Sequence, residues 1–384
     1  MRKKSELLTV ILFCGVLAFM SVLFVVIPDR AFSQQENRDL ATFPELNQET
    51  FFSGKFAEAL NEYFADQFPF RDQFVNLRAA TEQLLLKGSN NGVLYDYDQL
   101  AVYEFDSYHS LKEISKGTDR LYLDTIQIQF DALDRLGSSL PVPLITVLPP
   151  RTIDVTDGIY AYDRPDGDVA FEMMKDTLSE NAGYIDTLSL LREKYQKGEY
   201  VIYRTDHHWT TLGAYYVYCE IMKELGKEDR IIPKDQFQIT QIEDFSGTTA
   251  AKGKFPFYQS DVLELWKFHD EKEYEITFDN ISFDGFYSED YLQGSDKYSV
   301  FLDGTHNVTT IKKSGQKRET LLIAKDSFAN CLIPFLAREY DIVALNLRTF
   351  TDLSFLAEAY SASAVLVVYN MENIMTSADL ALVK

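Results

Sequence analysis

The chain is 384 residues long, enough for one large α/β domain with an appendage or for two modest domains. Hydrophobic residues make up 46% and charged residues 25% of it, globular values that exclude extensive disorder. The formal charge of -22 argues against nucleic-acid binding, which draws on Lys and Arg, and suits a neutral or weakly charged substrate, although a merely solvated exterior is the simpler account of the acidity.

At the N-terminus, Arg2, Lys3 and Lys4 precede an apolar run from Leu7 to Ile27, closed by Pro28-Asp29-Arg30. At about 1.5 Å per residue the run spans a bilayer core of about 30 Å. The basic flank predicts a cytoplasmic N-terminus and an extracytoplasmic body. A cleavable signal peptide is the competing reading, since Ala31-Phe32-Ser33 offers small residues for a peptidase, but signal-peptide apolar regions run only about 7–15 residues and the length favours a retained anchor over secretion after cleavage. Cys14 lies inside the run, while Cys219 and Cys331 are single residues in apolar helical patterns, which favours buried free thiols over a disulfide between them.

A polar stem follows, expected with two amphipathic helices over residues 29–90. Phe51, Phe52, Phe56, Leu60, Phe64 and Phe68 recur at helical spacing, and Phe70, Phe74, Leu77, Leu84 and Leu85 continue the pattern beyond Pro69. Such a stripe is expected to pack on its own domain, with membrane or partner contact the minority reading. From about Gly92 the rhythm alternates strand and helix: a helix over Thr118 to Leu136, a strand over Val142 to Leu148, a helix over Val169 to Leu178, a short strand at Tyr184-Ile185, a helix to Tyr195 and a strand at Tyr200 to Tyr203. This predicts an α/β domain over residues 91–384 with a doubly wound, mostly parallel sheet. Ligands bind such sheets beyond the carboxyl ends of the strands, and Asp206 to Trp209 is expected just past one of them.

Between about residues 245 and 317 the pattern changes. Tyr274 to Phe278 and Tyr298 to Phe301 alternate, with turns at Asp284-Gly285 and Asp303-Gly304, and predict a β-hairpin insertion. The α/β rhythm resumes with strands at Leu321 to Ala324, Ile342 to Leu345 and Val365 to Val368, separated by helices over Ala329 to Arg338 and Leu353 to Tyr360.

Two segments carry chemistry. Ser327 follows a buried-type strand by two residues and opens an apolar helix, so the chain turns sharply there and presents a hydroxyl at the sheet edge. Free N–H groups at such a helix start suit a developing oxyanion, each donor contributing about 3 kcal/mol. Alternatively Asp326 or Ser327 is simply an N-cap, at about 1 kcal/mol. Asp206 and His208 are one residue apart, so both side chains can leave one side of an extended loop, with the carboxylate on Nδ1 and Nε2 facing a serine. The plainer reading makes Asp206 a helix-entry cap and the histidines exposed. A metal on Asp206, His207 and His208 is disfavoured, because adjacent histidines are expected to point apart and further ligands are not evident.

The stretch Tyr203-Arg204-Thr205-Asp206-His207-His208-Trp209-Thr210-Thr211-Leu212-Gly213-Ala214-Tyr215 resembles the defining motif of the bacterial DHHW family, which is similar to the SGNH-hydrolase-like proteins that O-acetylate exopolysaccharides such as alginate. Leu322-Ile323-Ala324-Lys325-Asp326-Ser327-Phe328 resembles the serine block, with Lys325 where a Gly is usual. The likeness runs from about Ser33 to the C-terminus.

The resemblance implies an SGNH-like fold, Ser327 as nucleophile, His208 as base and Asp206 as its orienting partner, with acid and base preceding the serine in the chain. Triads tolerate any chain order. Arg348 and Asn370 follow neighbouring strands and are weaker candidates for oxyanion or substrate contacts. The implied activity is O-acetyl transfer to an exported or cell-surface carbohydrate through an acyl-Ser327 intermediate, without a cofactor or metal, beside a multi-pass membrane acyltransferase. A carbohydrate acetylesterase and a non-catalytic, membrane-tethered polysaccharide-binding or assembly protein are the alternatives. Phe257, Tyr258, Trp266, Tyr287 and Tyr291 can be read as a sugar-stacking platform or, more simply, as hairpin core. His306 reads as a turn residue lining the cleft at most, and His109 and His269 have no visible partners.

Overall fold

A computed structural model describes residues 2–33, 38–102, 120–156, 168–178 and 182–384. The chain divides into two compact units, Met1–Lys87 with Lys254–Pro256, and Gly88–Gly253 with Phe257–Lys384.

The first unit begins with α1 (Arg2–Val26), of which Ser5–Val26 is long and apolar enough to cross a membrane. Three helices follow: α2 (Gln48–Phe52), α3 (Lys55–Asp66) and α4 (Arg71–Leu84). Asn47 caps α2 through its side chain, satisfying an otherwise orphaned N–H. Buried Asp66 ties the stem to α3, accepting from the Arg38 guanidinium at 2.8 and 2.6 Å and from Ala41 N–H at 2.9 Å. Three helices stand where two are expected, because the first run is broken at Ser53-Gly54, and their apolar stripe does not pack away as expected: Phe52, Phe74, Leu77 and Leu85 are all exposed.

The second unit is a doubly wound α/β fold. Its sheet has eight strands: β1 (Leu144–Val147), β2 (Ala182–Ile185), β3 (Tyr274–Phe278), β4 (Ile281–Phe283), β5 (Val308–Lys313), β6 (Thr320–Lys325), β7 (Asp341–Asn346) and β8 (Ala362–Val368), in the order β4-β3-β5-β7-β6-β8-β1-β2. The five strands β7-β6-β8-β1-β2 are parallel, and β4, β3 and β5 join antiparallel. Leu321, Leu322, Ile323 and Ala324 of β6 are fully buried. A strand covered on both faces reads as an unbroken apolar run, which is why these strands stood out.

The β-rich insertion is present: it supplies β3, β4 and β5 to the edge of the main sheet, with Val308 opposite Leu345, in addition to a separate hairpin of Gln238–Phe245 with Asp261–Lys267. Three other expectations are corrected. Lys297–Val300 is a 3-10 turn rather than a strand. Tyr200 to Tyr203 is not a sheet strand either: the chain doubles back through an isolated Ile202–Trp209 bridge, and the apolarity of Val201, Ile202 and Tyr203 reflects burial in the core. The helix after Ser327 is also broken, into a 3-10 turn Ser327–Cys331 and a single α-turn Ile333–Leu336. Pro334 lacks an N–H and is tolerated only where a helix starts.

Candidate active site

The carboxyl ends of the parallel strands converge. β6 runs into Asp326-Ser327, β7 into Leu347-Arg348 and β8 into Tyr369-Asn370, and residues of all three line a cavity of about 350 Å³ that Ser327 faces. This is where an open α/β sheet has room for a ligand. Asp326 makes the turn after β6: Oδ1 accepts from Phe328 N–H at 2.9 Å, and Oδ2 from Asn370 N–H at 2.6 Å, Asn370 Nδ2 at 2.7 Å and Asn373 Nδ2 at 3.1 Å. The N-cap reading therefore applies to Asp326, and the Phe328 N–H, one of those expected to face an oxyanion, is occupied by it.

The Asp206–Trp209 turn reaches this edge from outside the sheet. Asp261, fully buried, accepts from Arg204 N–H at 2.8 Å, from Thr205 N–H at 2.8 Å and from Thr205 Oγ1 at 2.5 Å, and also from the Tyr200 hydroxyl. One carboxylate thus satisfies the backbone of a turn that has no sheet partner among the described residues. On the far side, Trp209 Nε1 donates to Phe328 O and lies 3.1 Å from Cys331 Sγ, tying the turn to the serine loop. Thr210 caps the helix Thr211–Glu224 through Gly213 N–H at 3.1 Å. A Cβ on Gly213 would lie 2.3 Å from Val201 O, which is why glycine stands there.

The structure brings the three main candidates together. His208 Nδ1 lies 2.6 Å from Asp206 Oδ1, and His208 Nε2 lies 2.8 Å from Ser327 Oγ. Asp206 Oδ1 also accepts from His208 N–H at 3.0 Å, and Oδ2 from Thr248 N–H at 2.8 Å and Thr248 Oγ1 at 3.0 Å. Burial would raise the Asp206 carboxyl, but His208, His207 and these donated bonds outweigh it and hold the group well below the usual carboxylate range. An ionised Asp206 requires a proton on His208 Nδ1, which leaves Nε2 free to accept from the Ser327 hydroxyl.

The histidines do not point apart as expected. Their ring centroids are 3.8 Å from each other, and His207 Nδ1 lies 2.6 Å from Thr248 Oγ1. Because the Thr248 hydroxyl donates to Asp206, His207 Nδ1 must carry the proton of that contact. Burial and the neighbouring His208 push the His207 imidazole below its usual value. The ligand atoms of Asp206, His207 and His208 lie within 4.8 Å of one another, but a cation there would compete with hydrogen bonds that already engage both Asp206 oxygens and both His208 nitrogens.

Arg348 and Asn370 both line the cavity. Asn370 Nδ2 is directed to Asp326, and its Oδ1 caps the helix Met371–Thr376 by accepting from Asn373 N–H at 2.9 Å. Arg348 is solvent-exposed, with Nη2 3.4 Å from Asn373 Oδ1 and Nε 3.5 Å from Asp379 Oδ2. Of the aromatics read as a platform, Trp266 is buried against Phe237 and Phe335 and the Tyr287 hydroxyl donates to Trp266 O at 2.8 Å, whereas Phe257 and Tyr291 are exposed. His306 is a turn residue, stacked 4.5 Å from Phe278 and 3.0 Å from Asp303 O. His109 lies outside the described residues. Cys219 and Cys331 are free thiols, half-buried and buried.

Several residues around the site carry no sequence signal. Tyr298 stacks on the His208 ring, and Gly247 approaches Asp206 so closely that a Cβ would lie 2.3 Å from its Cβ and Oδ2. Thr248 and Asp261 complete the set. Each is more than 35 positions from the turn it supports, and only the folded chain brings them there. Lys325, at the end of β6, is buried and donates to Asn330 Oδ1 at 2.5 Å; burial pushes it down to about 8.

Sheet and site together define an SGNH-like α/β protein. The family model described as DHHW protein matches residues 152–345, half of the chain, and the chain belongs to the DHHW family. It is similar to the probable alginate O-acetylase AlgJ of Pseudomonas syringae pv. tomato, 28% identical over 183 residues that cover 46% of this chain and 44% of that one; the chain thus spans less than half the length of this curated relative. Among solved structures it is similar to Bacillus cereus PatB1 with a sulfonyl adduct (TM-score 0.60, 18% identity, 76% of this chain and 97% of that one). A DHHW family protein from Eubacterium siraeum is also similar (TM-score 0.55, 17% identity, 76% and 96%). The two structural likenesses are of fold.

Proposed function

We propose that this protein is a membrane-tethered, extracytoplasmic O-acetyltransferase that modifies a polysaccharide through an acetyl-Ser327 intermediate. The observation that carries the reading is the continuous line Asp206 Oδ1, His208 Nδ1, His208 Nε2, Ser327 Oγ, with contacts of 2.6 and 2.8 Å. The similarity to a probable alginate O-acetylase supports acetyl transfer to a polysaccharide, and the apolar N-terminal helix supports the tether.

In this mechanism Ser327 Oγ attacks the acetyl carbonyl of a donor while His208 Nε2 takes its proton. Asp206 stabilises the imidazolium without becoming protonated. The tetrahedral intermediate collapses, the leaving group departs with the proton from His208, and the acetyl ester remains on Ser327. A sugar hydroxyl in the cavity then attacks that ester as His208 accepts its proton, and Ser327 leaves with the same proton restored. In this reading the Ser327 N–H, the backbone donor next to the nucleophile, serves the oxyanion. Water in place of the sugar makes the same residues an esterase. A multi-pass membrane acyltransferase that supplies the acetyl group belongs to the proposal as its donor partner.

The test is aryl-acetate turnover by the full-length protein in lipid nanodiscs, with mass spectrometry of the serine peptide, for wild type, Ser327→Ala and His208→Ala. Turnover and an acetyl group on Ser327 are expected in wild type, with losses of about 10³-fold or more in both variants. Addition of oligosaccharides then separates transfer from hydrolysis by the appearance of an acetylated sugar. Folded protein that neither turns over nor acquires the adduct sinks the reading in favour of a non-catalytic polysaccharide-binding protein.

A further inference from the structure

In α4 and its flanks, Phe70, Phe74, Leu77, Leu84 and Leu85 recur at helical spacing, and all five are between 50 and 76% exposed. Phe64 and Phe68 continue the apolar surface on α3 and the turn after it, at 47 and 43%. An apolar patch of this extent marks a surface that something covers.

The place where the patch begins identifies what covers it. Phe24 lies in the last turn of α1, and its ring centroid is 5.2 Å from that of Phe64 and 5.8 Å from that of Tyr63, both on α3. The apolar segment Ser5–Val26 has 22 residues, about 33 Å of helix, the thickness of a hydrocarbon core. With α1 across the bilayer, Phe24 falls at its boundary and Phe64, packed against it, falls near the same depth. The patch is thus continuous with the lipid-facing surface of the span rather than a separate site for a protein. The other side of these helices is held by charge, with Arg38 on Asp66 and Arg30 on Asp72.

We propose that α3 and α4 lie in the membrane interface as an amphipathic collar around the end of the span, with Phe64, Phe68, Phe70, Phe74, Leu77 and Leu85 in the acyl-chain boundary. A helix with one apolar face and an ion-paired opposite side has the composition of an interfacial helix. The proposal rests on α1 spanning the membrane and is independent of the chemistry at Ser327.

Tryptophan substitution in the full-length protein tests it. Trp209 and Trp266 are 0 and 2% exposed, so an added tryptophan alone can meet lipid. Phe74→Trp, Leu77→Trp and Leu85→Trp are compared with Leu12→Trp inside the span and Asp229→Trp, on an exposed turn of the second unit. The proteins are reconstituted in phosphatidylcholine/phosphatidylglycerol bilayers whose acyl chains are brominated near the headgroup end. The three collar variants and Leu12→Trp are expected to lose about twofold or more of the added emission, and Asp229→Trp none. Quenching at Leu12→Trp without quenching at the collar positions overturns the proposal and leaves the anchor standing. Blue-shifted but unquenched collar emission also overturns it, because protein then covers the face. Absence of quenching at Leu12→Trp removes the span on which it rests.

Discussion

The imidazole of His208 and the phenol of Tyr298 lie face to face, with ring centroids 3.7 Å apart and planes 8° from parallel. An imidazole held only at its two nitrogens can still rock about the line joining them. The Tyr298 face stops that motion on one side and Phe328, at 4.6 Å, limits it on another. The Tyr298 hydroxyl lies 3.4 Å from Ser327 O and 3.3 Å from Cys331 Sγ, so one side chain touches both His208 and the serine loop. Under the proposed function, Tyr298→Phe keeps the stack and should lower turnover by less than about tenfold, whereas Tyr298→Leu should lower it by about 10²-fold, since small displacements of a catalytic group are costly. Aryl-acetate kinetics on the two variants check this; equal losses would show that the hydroxyl, not the ring, matters.

Gly247 packs tightly against Asp206. A Cβ there would lie 2.3 Å from both Asp206 Cβ and Oδ2, and Asp206 is fixed by Thr248 N–H and the His208 ring. Neither side can yield without breaking a buried charge-assisted bond. Gly247→Ala should cost about 2–4 kcal/mol of stability, read from denaturant midpoints, and lower turnover by about 10²-fold or more as Asp206 leaves His208. Normal stability and activity would mean that the loop carrying Gly247 relaxes freely.

Much of this site was legible because its signals are local. Ser327 follows an apolar strand that is covered on both faces, and Asp206 and His208 sit two positions apart in a polar turn flanked by buried residues. What was not legible depends on pairing at long range. Tyr200 to Tyr203 has the apolarity of a strand, yet its N–H and C=O groups are met within the turn, by Glu199, His208 and Thr210, and by the Gln99 side chain. Tyr298 to Phe301 alternates like a strand, but a 3-10 turn there carries Tyr298 under His208. The apolar stripe of α3 and α4 has the period of a packed helix, and period alone does not say whether protein or lipid covers it.

Lys325 is retained at a cost that pH should reveal. Burial lowers it from the ordinary lysine value of 10.5 to about 8. A lysine depressed on folding is charged in both states below pH 8 and carries the whole burial penalty there, about 3 kcal/mol. Between pH 8 and 10.5 the unfolded chain binds the extra proton, so this contribution to stability rises with pH. Lys325→Met removes the penalty but leaves Asn330 Oδ1 without its donor, at about 1–2 kcal/mol. The variant should therefore be about 1–2 kcal/mol more stable than wild type at pH 7, with the advantage gone by pH 10.5. Parallel urea titrations across that range measure it; a variant less stable at every pH would mean that the cation is fully compensated by its surroundings.

Asp261 offers a way to separate the placement of the histidine turn from its chemistry, because it touches neither His208 nor Ser327 while its oxygens accept from Arg204 N–H, Thr205 N–H and Thr205 Oγ1. Asp261→Asn keeps the shape but replaces one acceptor oxygen by an NH2 that faces donors. At a fully buried position this should cost about 3–5 kcal/mol. Under the proposed function, misplacing the turn should lower turnover as well, and the defect should appear as a loss of kcat without a shift of the pH profile, since Asp206, His208 and Ser327 are all intact. Thermal melts and pH–rate profiles of the aryl-acetate reaction test both parts. A variant that loses stability but keeps kcat would show that the links through Trp209 and Thr248 hold His208 at Ser327 without Asp261.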